Sequence, residues 1–211
     1  KQFFMNLDEG GIGAKQHLLY NGLEIKEYTQ THKKDDKIII GNASRLTEQK
    51  GIFYLIELAN KLKHNNINAE IRVVGKGHLQ QQLEEAIKQN QIEDYFKLVG
   101  FYSNVHEFLS ELDIYVCSSK FEGFGFSIAE AMLHKLPVVG FDISSNPEVI
   151  EHKETGYLVS PFDVEELYQK TLLLINSEEV RTELGKNGYK KAADQFDREE
   201  GFERLKEIFE D

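Results

Sequence analysis

Short apolar runs alternate with longer amphipathic stretches along most of the 211-residue chain. The first clear run, residues 38–41, is rich in β-branched side chains and predicts a buried strand. In residues 51–63 the apolar positions recur at helical spacing, which predicts a helix with one buried face. The same alternation predicts further strands at 69–74, 96–99, 114–117, 138–141 and 157–159, and helices at 78–89, 103–112, from near 126 and near 147.

Three more helices are predicted after the last strand, at residues 164–175, 178–195 and 198–210. Repeated strand–helix units favour a parallel sheet with helices on both faces. The predicted fold class is therefore α/β, a Rossmann-like doubly wound parallel sheet with extra C-terminal helices. In such folds ligands bind beyond the carboxyl ends of the strands, so the loops that follow the first four strands are the candidate site.

The stretch 118–137 carries the clearest chemical pattern in the chain. Gly123 and Gly125 lie between a predicted strand and a helix expected to begin near Phe126. Glycines allow positive φ and close approach of the backbone to a ligand. A helix start offers unpaired N–H groups and partial positive charge, which suit a phosphate. Glu122 precedes the glycines and Glu130 lies inside the helix, so the two carboxylates need not share one face.

This stretch resembles the Glu-x7-Glu signature of retaining GT-B-fold glycosyltransferases, often called glycosyltransferase family 4, in which Glu-Gly-Phe-Gly is followed by Glu-Ala-Met and a Pro-Val-Val strand. Residues 41–51 are also similar to that family's Gly-Arg-Leu-x-x-x-Lys-Gly element. The resemblance covers residues 20–211 and implies the C-terminal half of a GT-B fold. The alternative is an unrelated α/β protein, since glycines between a strand and a helix are common.

The resemblance assigns roles to four charged residues. Arg45 and Lys50 match the cations that bind the donor diphosphate, and fixed cations stabilise the charge that grows on a leaving diphosphate. Without the second motif, two ordinary surface cations would be the favoured alternative. Glu130 matches the glutamate that accepts hydrogen bonds from the ribose, and Glu122 matches the one near the donor sugar. Glu122, Arg45 and Lys50 are the predicted catalytic residues.

The resemblance also implies a set of donor-binding positions. Backbone N–H groups of Gly123, Phe124, Gly125, Phe126 and Ser127 are expected to hold sugar hydroxyls and phosphate. Gly100 and Phe101, after the third strand, match the place where the base lies against the backbone, although packing is an equal alternative for Phe101.

Two positions depart from the family pattern. Lys135 stands where the family usually has glycine, and a left-handed backbone there would cost about 1 kcal/mol. Ser144 and Ser145 replace a Gly-Gly pair in a loop that contacts phosphate or helps to place the acceptor in the family. We therefore expect the donor geometry to differ at this loop.

Composition narrows the possible partners. The formal net charge of −11 argues against nucleic acid and against an anionic membrane surface. The single cysteine, Cys117, allows no internal disulfide and suits a reducing cytoplasm, and its place at a strand end favours a core role. The histidines show no metal-binding spacing and the Asp-x-Asp metal signature is absent, so no metal and no cofactor are predicted.

The sequence thus predicts a donor-nucleotide-sugar-binding domain at residues 37–211, and residues 1–36 as a segment or linker from a missing N-terminal domain. The predicted reaction is metal-independent transfer of a hexose-type sugar from a nucleoside diphosphate to a glycan, lipid or protein hydroxyl, with retention. A single domain is expected to bind donor but to turn over poorly. The expected location is the cytoplasm, with attachment to the inner face of the membrane through the missing domain. A nucleotide-sugar epimerase and a non-catalytic nucleotide-sugar-binding subunit are the alternatives.

Overall fold

A computed structural model describes residues 19–20, 22–31 and 37–210 of the chain. These residues form one six-stranded parallel sheet in the order β3-β2-β1-β4-β5-β6. The predicted doubly wound α/β fold is confirmed. The strands are β1 Ile38–Ala43, β2 Ala69–Val74, β3 Phe96–Gly100, β4 Ile114–Cys117, β5 Val138–Phe141 and β6 Gly156–Val159.

Helices connect the strands, and three more follow the last strand, as the periodicity predicts. A short 3-10 turn at Glu48–Lys50 leads into the first helix. The helices of the described residues are α1 Ile52–His64, α2 Gln80–Gln89, α3 Val105–Leu109, α4 Phe126–Leu133, α5 Asn146–Val149, α6 Val164–Asn176, α7 Glu178–Gln195 and α8 Arg198–Glu210.

The hydrophobic core has two layers, one on each face of the sheet. Adjacent residues of a strand enter opposite layers, as a side-chain period of two requires. Ile40 and Val116 pack in the layer under α1, α2 and α6. Ile39 and Tyr115 pack in the layer under α3 and α4. Both layers are buried, which explains why the strands read as continuous apolar runs.

The strand order reverses between β1 and β4. The chain moves outward from β1 through β2 to β3, then returns to β4 and moves outward the other way. The loops after β1 and β4 therefore begin side by side at the carboxyl edge, where doubly wound folds bind ligands. Buried Asn42 at the end of β1 donates from Nδ2 to Val116 O of β4 at 2.8 Å, which ties the two strands together at this point.

The predicted helix at residues 103–112 with a Ser103 cap is wrong at both ends. Helix α3 spans only Val105–Leu109, and its N-cap is Asn104. The Asn104 backbone is extended, so its side-chain Oδ1 reaches the His106 N–H at 3.1 Å. Asparagine and serine are comparable N-cap residues, and here the extended backbone at Asn104 lets its side chain make the cap bond.

The predicted segment 1–36 falls partly outside the described residues, which omit 1–18, 21 and 32–36. Its described part is residues 19–20 and 22–31, and it packs on the domain: Leu23 N donates to Phe196 O at 2.6 Å, and Thr31 N donates to Ser110 O at 2.9 Å. The origin of this segment in a separate domain stays a prediction. None of the described helices has the length and low polarity that crossing a bilayer requires.

Candidate functional site

The loops after β1 and β4 are joined by direct hydrogen bonds at the carboxyl edge of the sheet. Ser118 Oγ donates to Lys50 O at 2.9 Å, and Lys120 N donates to Gln49 O at 2.7 Å. Gly51 is left-handed at φ 61°, and a Cβ there would lie 2.2 Å from Ser118 O. Only glycine allows this close approach of the two backbones. The pairing fixes the positions of both predicted motifs relative to each other.

Arg45 and Glu130 line one cavity of about 350 Å³ at this edge. The cavity also takes in Ser44, Lys76 and Phe101, so its walls come from the loops after β1, β2 and β3 and from α4. Its volume lies in the range of small-molecule sites. Arg45 is exposed, whereas burial raises the pKa of the Glu130 carboxyl above its usual value.

Lys50, which follows β1, and Glu122, which follows β4, form an ion pair. Lys50 Nζ lies 2.6 Å from Glu122 Oε1, and Ser119 Oγ donates to the same oxygen at 2.6 Å. Both side chains of the ion pair are largely buried, at 14% and 10% exposure. One carboxylate oxygen thus carries both bonds, and the carboxylate is held in one orientation.

The loop that follows Glu122 presents a row of free amides. No N–H group from Gly123 to Ser127 donates to another group in the described part of the chain. Gly125 is the N-cap of α4 at φ 90°, and no side chain caps this helix. Free donors at a helix start favour an anion or a hydroxyl-bearing ligand.

The side chains of this loop point in different directions. Phe124 is buried and its ring lies 5.1 Å from the Phe196 ring and 6.1 Å from the Tyr20 ring. Phe126 is 46% exposed at the first position of α4. The predicted donor contacts of Phe124 and Phe126 concern their backbone amides, and packing of the Phe124 ring anchors those amides.

Phe101 lines the cavity, and Gly100 precedes it at the end of β3. Phe101 is 64% exposed, so it is not a core residue, and Lys76 Nζ lies 4.9 Å from its ring centroid. Gly100 has φ 80°, and a Cβ there would meet no heavy atom within 4 Å. The structure therefore brings Phe101 to the same cavity as Arg45 and Glu130, whereas Gly100, the residue before it, does not line that cavity.

Four residues that sequence reasoning did not single out as site residues support this geometry. Tyr115 is fully buried, and its hydroxyl lies 3.2 Å from Ala43 N and 3.3 Å from Ala43 O, at the start of the Arg45 loop. Ser119 orients the Glu122 carboxylate, and the hydroxyls of Ser144 and Ser145 bind the Glu122 backbone. The one sequence signal that these serines share is a position in the loop that follows a buried strand.

Among the described residues, no group of three or more His, Cys, Asp or Glu side chains is placed to hold a metal ion. The predicted site residues instead form two cation–carboxylate combinations: Arg45 with Glu130 around the cavity, and Lys50 with Glu122 in the ion pair.

Comparison with known proteins gives consistent matches. The sequence model of the family described as "Glycosyl transferases group 1" matches residues 24–191. A poly(ribitol-phosphate) alpha-N-acetylglucosaminyltransferase of Staphylococcus aureus (strain COL) is 28% identical over 179 residues, which cover 84% of this chain and 36% of the relative. The amylovoran biosynthesis glycosyltransferase AmsK of Erwinia amylovora is 33% identical over 177 residues, which cover 80% of this chain and 44% of the relative.

Among solved structures, a mutant of S. aureus TarM in complex with fondaparinux, alpha-GlcNAc-glycerol and UDP superposes with a TM-score of 0.85. It is 26% identical, and the match covers 97% of this chain and 41% of that chain. The chain thus spans less than half the length of these three proteins.

Proposed function

We propose a function from the premise that this chain belongs to the glycosyl transferases group 1 family. The chain binds a nucleoside-diphosphate sugar and forms the donor half of an enzyme that transfers the sugar to an acceptor hydroxyl with retention. The observation that carries this proposal is the placement of two cations and two carboxylates on two segments that are hydrogen-bonded to each other where the strand order reverses. Arg45 and Lys50 lie after β1, and Glu122 and Glu130 lie on the loop and the helix after β4.

In the proposed reaction the bond between the anomeric carbon and the β-phosphate oxygen breaks, and a bond to the acceptor oxygen forms on the same face. The acceptor proton passes to the leaving phosphate. Arg45 and Lys50 stabilise the negative charge that develops on this leaving group, so the step proceeds without a metal ion. Glu122 faces the donor sugar and supports positive charge at the anomeric centre.

The nucleoside occupies the cavity of about 350 Å³. The Glu130 carboxylate accepts hydrogen bonds from the two ribose hydroxyls, because an ionised carboxylate is an acceptor only. The base lies against Gly100 and Phe101, and the free amides of residues 123–127 receive oxygens of the donor. UDP in the similar TarM structure supports a uridine nucleotide for this chain.

The acceptor and the second half of the active site belong to the longer enzyme that this proposal requires. The names of the relatives support glycan acceptors, such as the poly(ribitol phosphate) of the S. aureus enzyme. Lipid and protein hydroxyls remain in the proposed class. We place the activity in the cytoplasm, at the inner face of the membrane where the longer enzyme meets its acceptor.

Calorimetric titration of the chain with UDP, GDP and UDP-N-acetylglucosamine tests the proposal. We expect both UDP and UDP-N-acetylglucosamine to bind. Turnover of UDP-N-acetylglucosamine should be slow or absent. A UDP analogue without ribose hydroxyls should bind about tenfold more weakly, and Glu130→Ala, which leaves no side-chain acceptor, should remove that difference. Absence of binding by every nucleotide at millimolar concentration contradicts the proposal.

A further inference from the structure

Two serine hydroxyls converge on one backbone carbonyl beside the candidate site. Ser144 Oγ donates to Glu122 O at 2.5 Å, and Ser145 Oγ donates to the same oxygen at 3.1 Å. The serines follow β5, whereas Glu122 follows β4, so the bonds join the loops after two neighbouring strands. These are the serines that replace the glycine pair of the family pattern.

The carbonyl direction fixes the direction of the next amide. In a planar trans peptide the C=O and the following N–H point to opposite sides. Because Glu122 O points toward the serine loop, Gly123 N–H points away from it. Gly123 is exposed, a Cβ built there would meet no heavy atom within 4 Å, and its N–H has no partner in the described part of the chain.

Ser144 holds this position in an unfavourable backbone conformation. Its φ of 53° is left-handed, a region that favours glycine over serine. A serine that keeps such a φ while its hydroxyl binds Glu122 O indicates that the bond matters at this position. Ser145 is buried beside it and adds the second donor.

We propose that Ser144 and Ser145 are positioning residues that turn the Glu122–Gly123 peptide so that Gly123 N–H meets an acceptor oxygen of the nucleotide sugar. The inference rests on the proposed function. Glu122 is thus held at two places. The serine pair binds its backbone carbonyl, and Lys50 and Ser119 bind its carboxylate.

The test compares the wild-type chain with the double variant Ser144→Gly/Ser145→Ala. Glycine keeps the left-handed backbone available while it removes the hydroxyl, so folding is preserved. Lys135→Gly is the matched control, because it makes the same backbone exchange at φ 57° away from this loop. Affinities for UDP and UDP-N-acetylglucosamine are measured by calorimetry, and the Gly123 amide resonance is followed by NMR.

We expect the double variant to bind UDP-N-acetylglucosamine at least about fivefold more weakly, as loss of one oriented donor implies. The Gly123 resonance should shift on ligand addition in the wild type and in Lys135→Gly, and lose that shift in the double variant. A weaker effect on UDP than on UDP-N-acetylglucosamine identifies a sugar oxygen as the acceptor, and an equal effect identifies a phosphate oxygen.

Equal affinity of the double variant and the wild type overturns the inference while the proposed function stands. An unchanged Gly123 ligand shift in the double variant overturns it as well, because the serines then act only on stability. If the wild type binds neither UDP nor UDP-N-acetylglucosamine, the proposed function fails and this inference fails with it.

Discussion

Lys50 Nζ and Glu122 Oε1 lie 2.6 Å apart, although 72 positions separate the two residues in the chain. The contact exists because β1 and β4 are neighbours in the sheet and the two residues lie on the loops that leave these strands. A cation assigned to the diphosphate thus also holds the carboxylate assigned to the sugar. Donor phosphate and Glu122 then share one ammonium group in the proposed complex.

The Lys50 and Glu122 side chains should have a larger coupling free energy than the members of an exposed ion pair. Lys50→Met leaves a largely buried carboxylate without its cation and should lower the free energy of unfolding by about 2 kcal/mol. The double variant Lys50→Met/Glu122→Gln should cost less than the sum of the single variants. Urea unfolding of the four proteins measures this coupling.

The exposed pair Lys61–Glu165 provides the control for this cycle, since its side chains are 36% and 59% exposed. Its coupling should stay below about 0.5 kcal/mol. Additive effects of Lys50→Met and Glu122→Gln would contradict a functional ion pair at the site.

Arg45 should contribute to nucleotide binding and little to folding. It is exposed at the cavity wall, so Arg45→Ala should lower the affinity for UDP about tenfold and leave the melting temperature unchanged. Calorimetry and thermal unfolding give the two readings. Lys186→Ala, an exposed cation on α7, should change neither. An equal loss of affinity in both variants would point to general charge attraction instead of a defined contact.

A chain of hydrogen bonds near the base of α4 should make stability depend on pH. Tyr28 OH lies 3.2 Å from His106 Nε2, His106 Nδ1 lies 3.0 Å from His134 Nε2, and His134 Nδ1 lies 3.3 Å from Ser110 Oγ. Ser110 Oγ donates its own hydrogen to His106 O, so His134 Nδ1 must donate to it. Each remaining bond has one donor when both imidazoles are neutral, whereas two cationic imidazoles would place an N–H of His106 against an N–H of His134.

Burial lowers the pKa of His134 to about 4 and also lowers the pKa of His106, with Lys26 adding to the effect on His106. The unfolded chain, with an ordinary histidine pKa near 6.5, binds protons first as the pH falls. The contribution of neutral His134 to the free energy of unfolding should be fully present above about pH 6.5. It should decrease by on the order of 3 kcal/mol as the pH falls toward 4.

The measurement is the free energy of urea unfolding between these pH values for the wild type and for His134→Gln. The difference between the two proteins isolates His134 from the carboxylates that titrate in the same range. His64→Gln, at an exposed position on α1, should keep the wild-type slope. An identical slope in His134→Gln would show that this imidazole is not the titrating group.

The backbone at Lys135, where the family usually has glycine, is left-handed at φ 57°. The condition under which we expected lysine to cost stability at this position is therefore met. Its ammonium lies 5.0 Å from the Tyr189 ring centroid, so any substitution also removes this contact. Comparison of Lys135→Gly with Lys135→Ala separates the two effects. The glycine variant should be more stable than the alanine variant by about 1 kcal/mol in urea unfolding. Equal stability would mean that the left-handed backbone carries no cost.

The order of strands and helices could be predicted from the sequence because the strands are short apolar runs and the longer helices have a regular apolar stripe. The meeting of Arg45 with Glu130 also followed, since both motifs lie after strands whose carboxyl ends share one edge. The serine bonds to Glu122 O could not be predicted, because they depend on side-chain rotamers of a loop without periodicity. The short helix α3 was misjudged because Leu112 continues the helical spacing of Phe108 and Leu109 beyond a turn at residues 110–111.

The strands whose loops line the cavity differ in the number of strands they pair with in the sheet. β1 and β4 have sheet neighbours on both sides, whereas β3 is an edge strand that ends at Gly100 and is followed by the loop with Phe101. Insertions or exchanges after β3 can therefore remodel one wall while the central loops keep their spacing. If the proposed donor site is correct, changes in this outermost loop can alter the choice of base while the phosphate end of the site keeps its geometry.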